Sequence, residues 1–280
     1  MKKTKIFYFK IFFLFLIFLT VLNTGCKKVS YPKDKIEEST VKILKKEYKL
    51  DGRAKLVGNT LYLDIELPEL FSVEETENLP KKVLKKLQGA VLTVVRISLS
   101  SDAKIDFVVT IAYAKDYDFC VRIIERIKDI KDFLYMRISR SNYEQRLILE
   151  MLPYSKITYD NITLKEFAAR LMVSRYNMTL KSNPFVAALL NNTMLEFRFI
   201  SGDMLVLMAN NYVVGTGIND LFKSLIEKYY KEVIEKYSLI TFPPVIRVED
   251  TRSQEIFSLN PKVDITYNFD ELLKAIKKKK

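Results

Sequence analysis

Ser101-Asp102-Ala103-Lys104 fits S-x-x-K, a spacing in which a lysine lowers the cost of deprotonating a serine. Two fixed positions in four recur by chance, and Ser30 with Lys33 matches as well. A nucleophile of this kind begins a helix and is served by a later K-T-G strand. Ser101 instead follows a predicted helix and precedes a predicted strand, and the chain contains no K-T-G. A helix-terminal turn is the better reading. Gly215-Thr216-Gly217 before a predicted helix offers backbone N–H groups to a phosphate. No Lys-Ser/Thr pair follows, and a third glycine is missing, so a tight strand-to-helix connection fits better. Asp102, Asp106, Asp116, Asp118, Asp129 and Asp132 raise metal binding or paired-carboxylate hydrolysis. Their spacing matches no calcium loop and suits caps, turns and solvated helix faces. Arg137, Arg140 and Arg146 form a candidate anion cluster, because guanidinium groups suit phosphate and carboxylate. Pairing with Glu144, Glu150 or the aspartates is the competing outcome.

Composition removes other chemistry. The chain has no histidine, which excludes Ser-His-Asp and Cys-His catalysis, His-ligated zinc and histidine pH switching. It has no tryptophan, leaving 16 tyrosines and 18 phenylalanines for any stacking role. The two cysteines are Cys26 and Cys120. Cys120 lies among Phe119, Val121 and Ile123, the setting of a buried, inert thiol. The net charge is +12, and Lys2, Lys3, Lys5 and Lys10 of the opening segment leave about +8 for the rest. That balance suits anionic lipid headgroups or an acidic polymer, or simply solvated lysine faces. The charges are scattered and no groove-reading motif appears, so nucleic acid is not expected.

Several amphipathic elements must position these residues. A helix is predicted from about Asp34 to Tyr48, then a hairpin from Arg53 to Val57 and Thr60 to Leu67 across Gly58-Asn59, with one buried face. After the acidic stretch Glu74 to Asn78, Pro80 opens a helix running to about Leu99. Ile105 to Tyr113 reads as a central strand. Asp116 and Asp118 would cap a helix carrying Phe119, Ile123, Ile127, Ile130 and Leu134; a strand over Phe119 to Ile124 leading into a shorter helix is the rival. A further helix is predicted from Asn142 to Leu152. Thr163 and Glu166 form a capping box for the next helix, which Asn183-Pro184 breaks. A hairpin over Leu195 to Ile200 and Met204 to Met208 follows. Asn219 is the expected N-cap of a long helix to Tyr237. Strands at Val245 to Val248, Ile256 to Leu259 and Val263 to Tyr267, then a helix from Phe269 to Ile276, close the chain.

The first segment supplies the address. Lys2, Lys3, Lys5 and Lys10 precede an apolar run from Ile11 to Leu22, broken only by Thr20 and followed by Asn23-Thr24-Gly25-Cys26. A basic start, a short apolar core and small residues before a cleavage point describe a secretory signal peptide. The core is shorter than the ~20 residues of a spanning helix. The segment resembles the lipobox of bacterial lipoproteins, with Asn23 where that family usually carries leucine. The resemblance covers residues 1–26 and implies cleavage before Cys26, lipidation of its thiol and acylation of the new N-terminus. Several acyl chains hold a protein at a bilayer where one is marginal. An uncleaved signal anchor is the other reading, and either one exports the body.

The expected fold is α+β, with mixed or antiparallel sheets packed by amphipathic helices. The order helix, hairpin, helix, strand occurs twice, from near Asp34 and near Thr163, without residue-level similarity. Coincidence among common α+β units is the preferred account, and a diverged duplication requires the same strand order in both. The expected divisions are a signal peptide at 1–25, a lipidated tether at 26–33, an α+β domain at 34–152 and a second domain or subdomain at 153–280. Cys26 is the one assigned site residue; no catalytic, cofactor or metal residue is assigned. The leading expectation is an envelope lipoprotein, exposed to periplasm or exterior, with a non-catalytic binding or assembly role. Its partners would be membrane lipid through the anchor and an envelope protein or polymer. The alternatives are an anchored hydrolase using Asp or Glu and a carrier of an apolar ligand.

Overall fold

The computed structural model describes residues 31–68, 81–114, 116–200, 204–212, 218–239, 245–260 and 269–278. Cys26 and its presequence, the Glu74–Asn78 stretch, Pro80, Gly215, Gly217 and the Val263–Tyr267 strand lie outside them. The elements are α1 (Ile36–Tyr48), β1 (Gly52–Val57), β2 (Thr60–Glu66), α2 (Lys81–Ser100), β3 (Phe107–Ala114), β4 (Phe119–Arg126), α3 (Ile127–Leu134), α4 (Arg140–Glu144) and β5 (Ile148–Leu152). The second half holds α5 (Leu164–Ser182), α6 (Pro184–Leu189), β6 (Met194–Ile200), β7 (Met204–Asn210), α7 (Ile218–Tyr237), β8 (Ile246–Asp250), β9 (Glu255–Leu259) and α8 (Phe269–Lys278). The class is α+β with two mixed sheets, ordered β1-β2-β3-β4-β5 and β6-β7-β8-β9.

The two sheets share one plan. In each, a hairpin is followed by a helix that returns the chain parallel to the hairpin's second strand, and a fourth strand then adds antiparallel. Strand order and pairing sense are the same in both, and β5 is an addition to the first.

Layering follows from which faces are apolar. Leu61, Leu63, Ile65, Val108, Ala112 and Val121 point to one side of the first sheet and pack with Leu44 of α1 and Val94 and Ile97 of α2. The other side carries Tyr62, Val109, Ile111, Cys120, Ile124 and Ile148, which join α5, α7 and the apolar side of the second sheet in one core. Phe167 of α5 meets Phe107 at 5.2 Å between ring centroids, and Tyr176 of α5 meets Phe222 of α7 at 5.8 Å. α5 is thus enclosed from several directions, as a helix with buried Phe167, Ala168, Ala169, Leu171, Met172, Val173 and Tyr176 must be. Burying Phe167 alone is worth about 1.5–3 kcal/mol.

Local signals account for many boundaries. Thr163 caps α5 by accepting from the Glu166 N–H at 3.2 Å. Gly58 takes φ +57 in the β1–β2 turn, which the Asn161 side chain closes by accepting from the Asn59 N–H at 2.8 Å. Other expectations are corrected. β2 is buried on both faces rather than one, because the segment after β5 covers Tyr62 and Asp64. Residues 119–126 form a strand, so the rival reading holds. A strand buried on both faces carries apolar residues at consecutive positions, here Phe119–Val121 and Ile123–Ile124, and some then fall at helical spacing. The helix expected over Asn142–Leu152 is instead the short α4 and the edge strand β5, drawn in by pairing of Cys120–Ile124 with Ile148–Leu152. Asn219 lies inside α7, where its side chain accepts from the Tyr212 hydroxyl.

Gly89 sets the approach of α2 to α1. A Cβ there would run into the Tyr48 ring at Cδ1. Gly89→Ala gains about 1 kcal/mol of helix propensity, yet overpacking costs about 1–3 kcal/mol. The expected result is a lower urea midpoint, restored by adding Tyr48→Leu. A Gly89→Ala protein more stable than the parent contradicts this packing.

Candidate functional site: a basic cleft at the seam

β4 ends in Arg126 and runs without a break into α3, so that Arg126, Lys128, Asp129 and Asp132 stand together at the end of the first sheet. α7 crosses from the second half and stops there. Its last turn closes with Leu239 N–H donating to the Ile234 carbonyl at 3.1 Å, and Ser238 takes the left-handed φ of +51. α4 then brings Arg146 alongside. Together they line an open cleft of about 370 Å³ at the seam between the halves.

Tyr237 is the hub. It is buried, its ring edge rests on Phe167 with centroids 5.8 Å apart, and two guanidinium groups approach it. The Arg126 carbon stands 5.4 Å from the ring centroid and that of Arg146 5.7 Å. Burial, with the Asp129 carboxylate beside it, raises the phenol well above its ordinary value. Asp129 is buried and pairs with Arg146 at 2.8 Å; Arg146 also donates to Asn142 Oδ1 at 2.8 Å. Asp132 pairs with the exposed Arg137 at 3.2 Å.

Five cations therefore line the cleft (Arg126, Lys128, Arg137, Arg146 and Lys236) against two carboxylates, both already engaged. Lys236 is affected by both burial and the neighbouring cations. Its pKa is lowered from the ordinary 10.5 by burial first and then by Arg175 and Arg146, against the pull of Glu232 and Asp129. An oxyanion in the cleft would relieve that repulsion.

The cluster expected from sequence is divided. Arg137 and Arg146 line the cleft, whereas Arg140 is exposed and pairs with Glu144 at 2.8 Å. Ser101 takes the turn reading, accepting from the Ala103 N–H at 3.0 Å, and Lys104 is exposed. The aspartates are dispersed: Asp106 accepts from the Asn59 amide, Asp118 from Ser155, and Asp102 from the Lys33 N–H. Among the described residues no three acidic or thiol side chains gather to hold a metal. Cys120 is buried, which pushes its thiol up to about 11. No helix among the described residues is long and apolar enough to cross a membrane.

Among the buried carboxylates that escaped the sequence reading are two of the first sheet. Asp64 accepts from Tyr159 and Tyr154 beside Arg53, and Glu125 accepts from Tyr143. Burial raises both pKa values, and the tyrosine bonds oppose it. Register places Asp64 and Glu125 on opposite faces of the first sheet, so they cannot flank one scissile bond. The cations Arg126, Lys128 and Lys236 were missed too, because 110 residues separate Lys236 from Arg126 and no spacing rule spans that gap.

No family model, no curated protein and no solved structure matches this chain.

The two ion pairs differ in what they support. Asp129→Asn leaves Arg146 without its anion in a largely buried place and should cost about 3 kcal/mol. Asp132→Asn acts on an exposed partner and should change stability by less than about 1 kcal/mol. Urea midpoints of both variants check this; equal effects contradict it.

Proposed function

We propose that this chain is an envelope protein held at a membrane through Cys26, that its body binds rather than catalyses, and that the seam cleft is the binding site. The ligand is a partner presenting clustered oxyanions, phosphate or carboxylate. One observation carries the reading: three positive charges in excess converge on one open cleft, which Lys236 lines from the last turn of α7. Guanidinium groups fixed by Asp129, Asn142 and Tyr237 are preorganised, so little ordering is lost when an oxyanion arrives. The opening segment supports the anchor through its basic start, short apolar core and Cys26.

The hydrolase alternative has less support. Asp64 and Glu125 face opposite ways, and each already accepts from a tyrosine hydroxyl. Among the described residues, the space beside Tyr62 does not favour the carrier alternative: it is about 10 Å³, room for one water, and Arg122, Glu166 and Arg170 line it.

Pyrophosphate titrated into the full-length chain in detergent, followed by calorimetry, tests the cleft. Saturable binding is expected, weakened about tenfold by Lys236→Gln, the loss of a charge-assisted contact worth about 1.5 kcal/mol. Affinity should fall as pH rises towards, but before reaching, the ordinary lysine value of 10.5, because burial, and after it Arg175 and Arg146, make the Lys236 proton easier to lose. No saturable heat, or a Lys236→Gln protein that binds as the parent does, contradicts the site. Intact mass of the exported chain tests the anchor separately: a free Met1 amine with unmodified Cys26 contradicts it.

A further inference from the structure

Just beyond Asp132 the chain adopts a feature that is costly twice, once in backbone sterics and once in exposed apolar surface. α3 ends in a closed turn, with Arg137 N–H donating to the Asp132 carbonyl at 2.8 Å and Met136 N–H to that of Phe133 at 2.9 Å. This places Met136 in the left-handed region at φ +56, the position where helices favour glycine. The side chain kept at that strained position is apolar and 92% exposed. Tyr135 beside it is 70% exposed and Leu134 55% exposed. A fold selected for stability in water alone would place glycine or a polar residue here.

The surroundings indicate what meets the knob. Lys128, Lys131, Arg137 and Arg140 are exposed around it, and the Arg137 guanidinium stands 5.5 Å from the Tyr135 ring centroid. An apolar tip with an aromatic ring, ringed by cations, has the composition of an interfacial membrane contact. The location agrees. The described chain enters the body at Tyr31, which bridges to Ser101, and Lys33 N–H donates to Asp102 at 2.7 Å. The Asp106 carbonyl accepts the Ile127 N–H at 2.9 Å, so the entry point and the start of α3 share one end of the first sheet. Tyr31 lies five residues beyond Cys26, a reach of at most about 18 Å.

We propose that Leu134, Tyr135 and Met136 insert into the interfacial layer of a bilayer containing anionic lipid. Lys128, Lys131 and the adjoining cleft then take the headgroup phosphates. This gives the oxyanion partner of the proposed function a chemical class, and it rests on that reading for the cleft and for the nearness of the membrane.

The chain has no tryptophan, so Tyr135→Trp in the full-length protein gives a single reporter. Tyr117→Trp, in the β3–β4 turn at the other end of the sheet, is the control. On vesicles of phosphatidylglycerol with brominated phosphatidylcholine, the Y135W indole is expected to shift to the blue and be quenched, and the Y117W indole to remain water-like. Adding Lys128→Gln and Lys131→Gln to Y135W should reduce the quenching. Adding Met136→Gly should reduce it while raising the urea midpoint, which separates lost contact from lost folding. Equal, water-like emission from both reporters on chain that floats with neutral vesicles overturns the knob and leaves the anchor. Quenching of Y135W on anionic vesicles, without flotation on neutral ones, overturns the anchor and leaves the knob. Water-like Y135W emission without flotation overturns both.

Discussion

The first sheet is apolar on both faces, and its own two helices cover only one of them. Tyr62, Val109, Ile111, Cys120 and Ile124 would face water if nothing else packed there. The second half removes that exposure by laying α5 and α7 between the two sheets. Apolar burial is the main favourable term in folding, so this shared core ties the halves into one body. The segment after β5 is fastened by the same need: Asp64, buried on that face, takes the hydroxyls of Tyr154 and Tyr159.

That packing also creates the cleft. Packing α7 beside α5 delivers its last turn to the point where β4 becomes α3. Tyr237 closes the apolar layer there, and the guanidinium groups of Arg126 and Arg146 flank its ring. Cations brought together in this way repel one another, and Asp129 and Asp132 offset only part of the repulsion. The remaining charge faces the open side of the cleft, beside a helix end that exposes Leu134, Tyr135 and Met136. Charge and apolar tip thus occur together at the end of the body where the described chain begins.

Much of this frame was legible in the residues. Alternation in Thr60 to Leu67, Gly58 at the turn, Thr163 with Glu166 and the apolar stripe from Leu221 to Tyr237 each act locally, and each led to the right element. Failure came where tertiary burial overrides local pattern. Phe119 and Ile123 belong to a strand buried on both faces, and they continue by chance the helical spacing of Ile127, Ile130 and Leu134 in α3. β5 is a strand because β4 offers it an edge, which residues 142–152 do not reveal. The cleft was half legible: Arg137 and Arg146 stood out as neighbours, but Arg126 and Lys236 meet only through Tyr237. The recurrence of helix, hairpin, helix and strand was visible, and the common strand order needed the folded chain.

Amide hydrogen exchange on the full-length chain, bound to anionic and then to neutral vesicles, tests most directly the claim that this end of the body meets the membrane. Added protection on anionic vesicles is expected over residues 127–138 and over the last turn of α7, with β1 and β9 unchanged. Protection confined to β1 or β9, or none beyond that on neutral vesicles, would contradict the account.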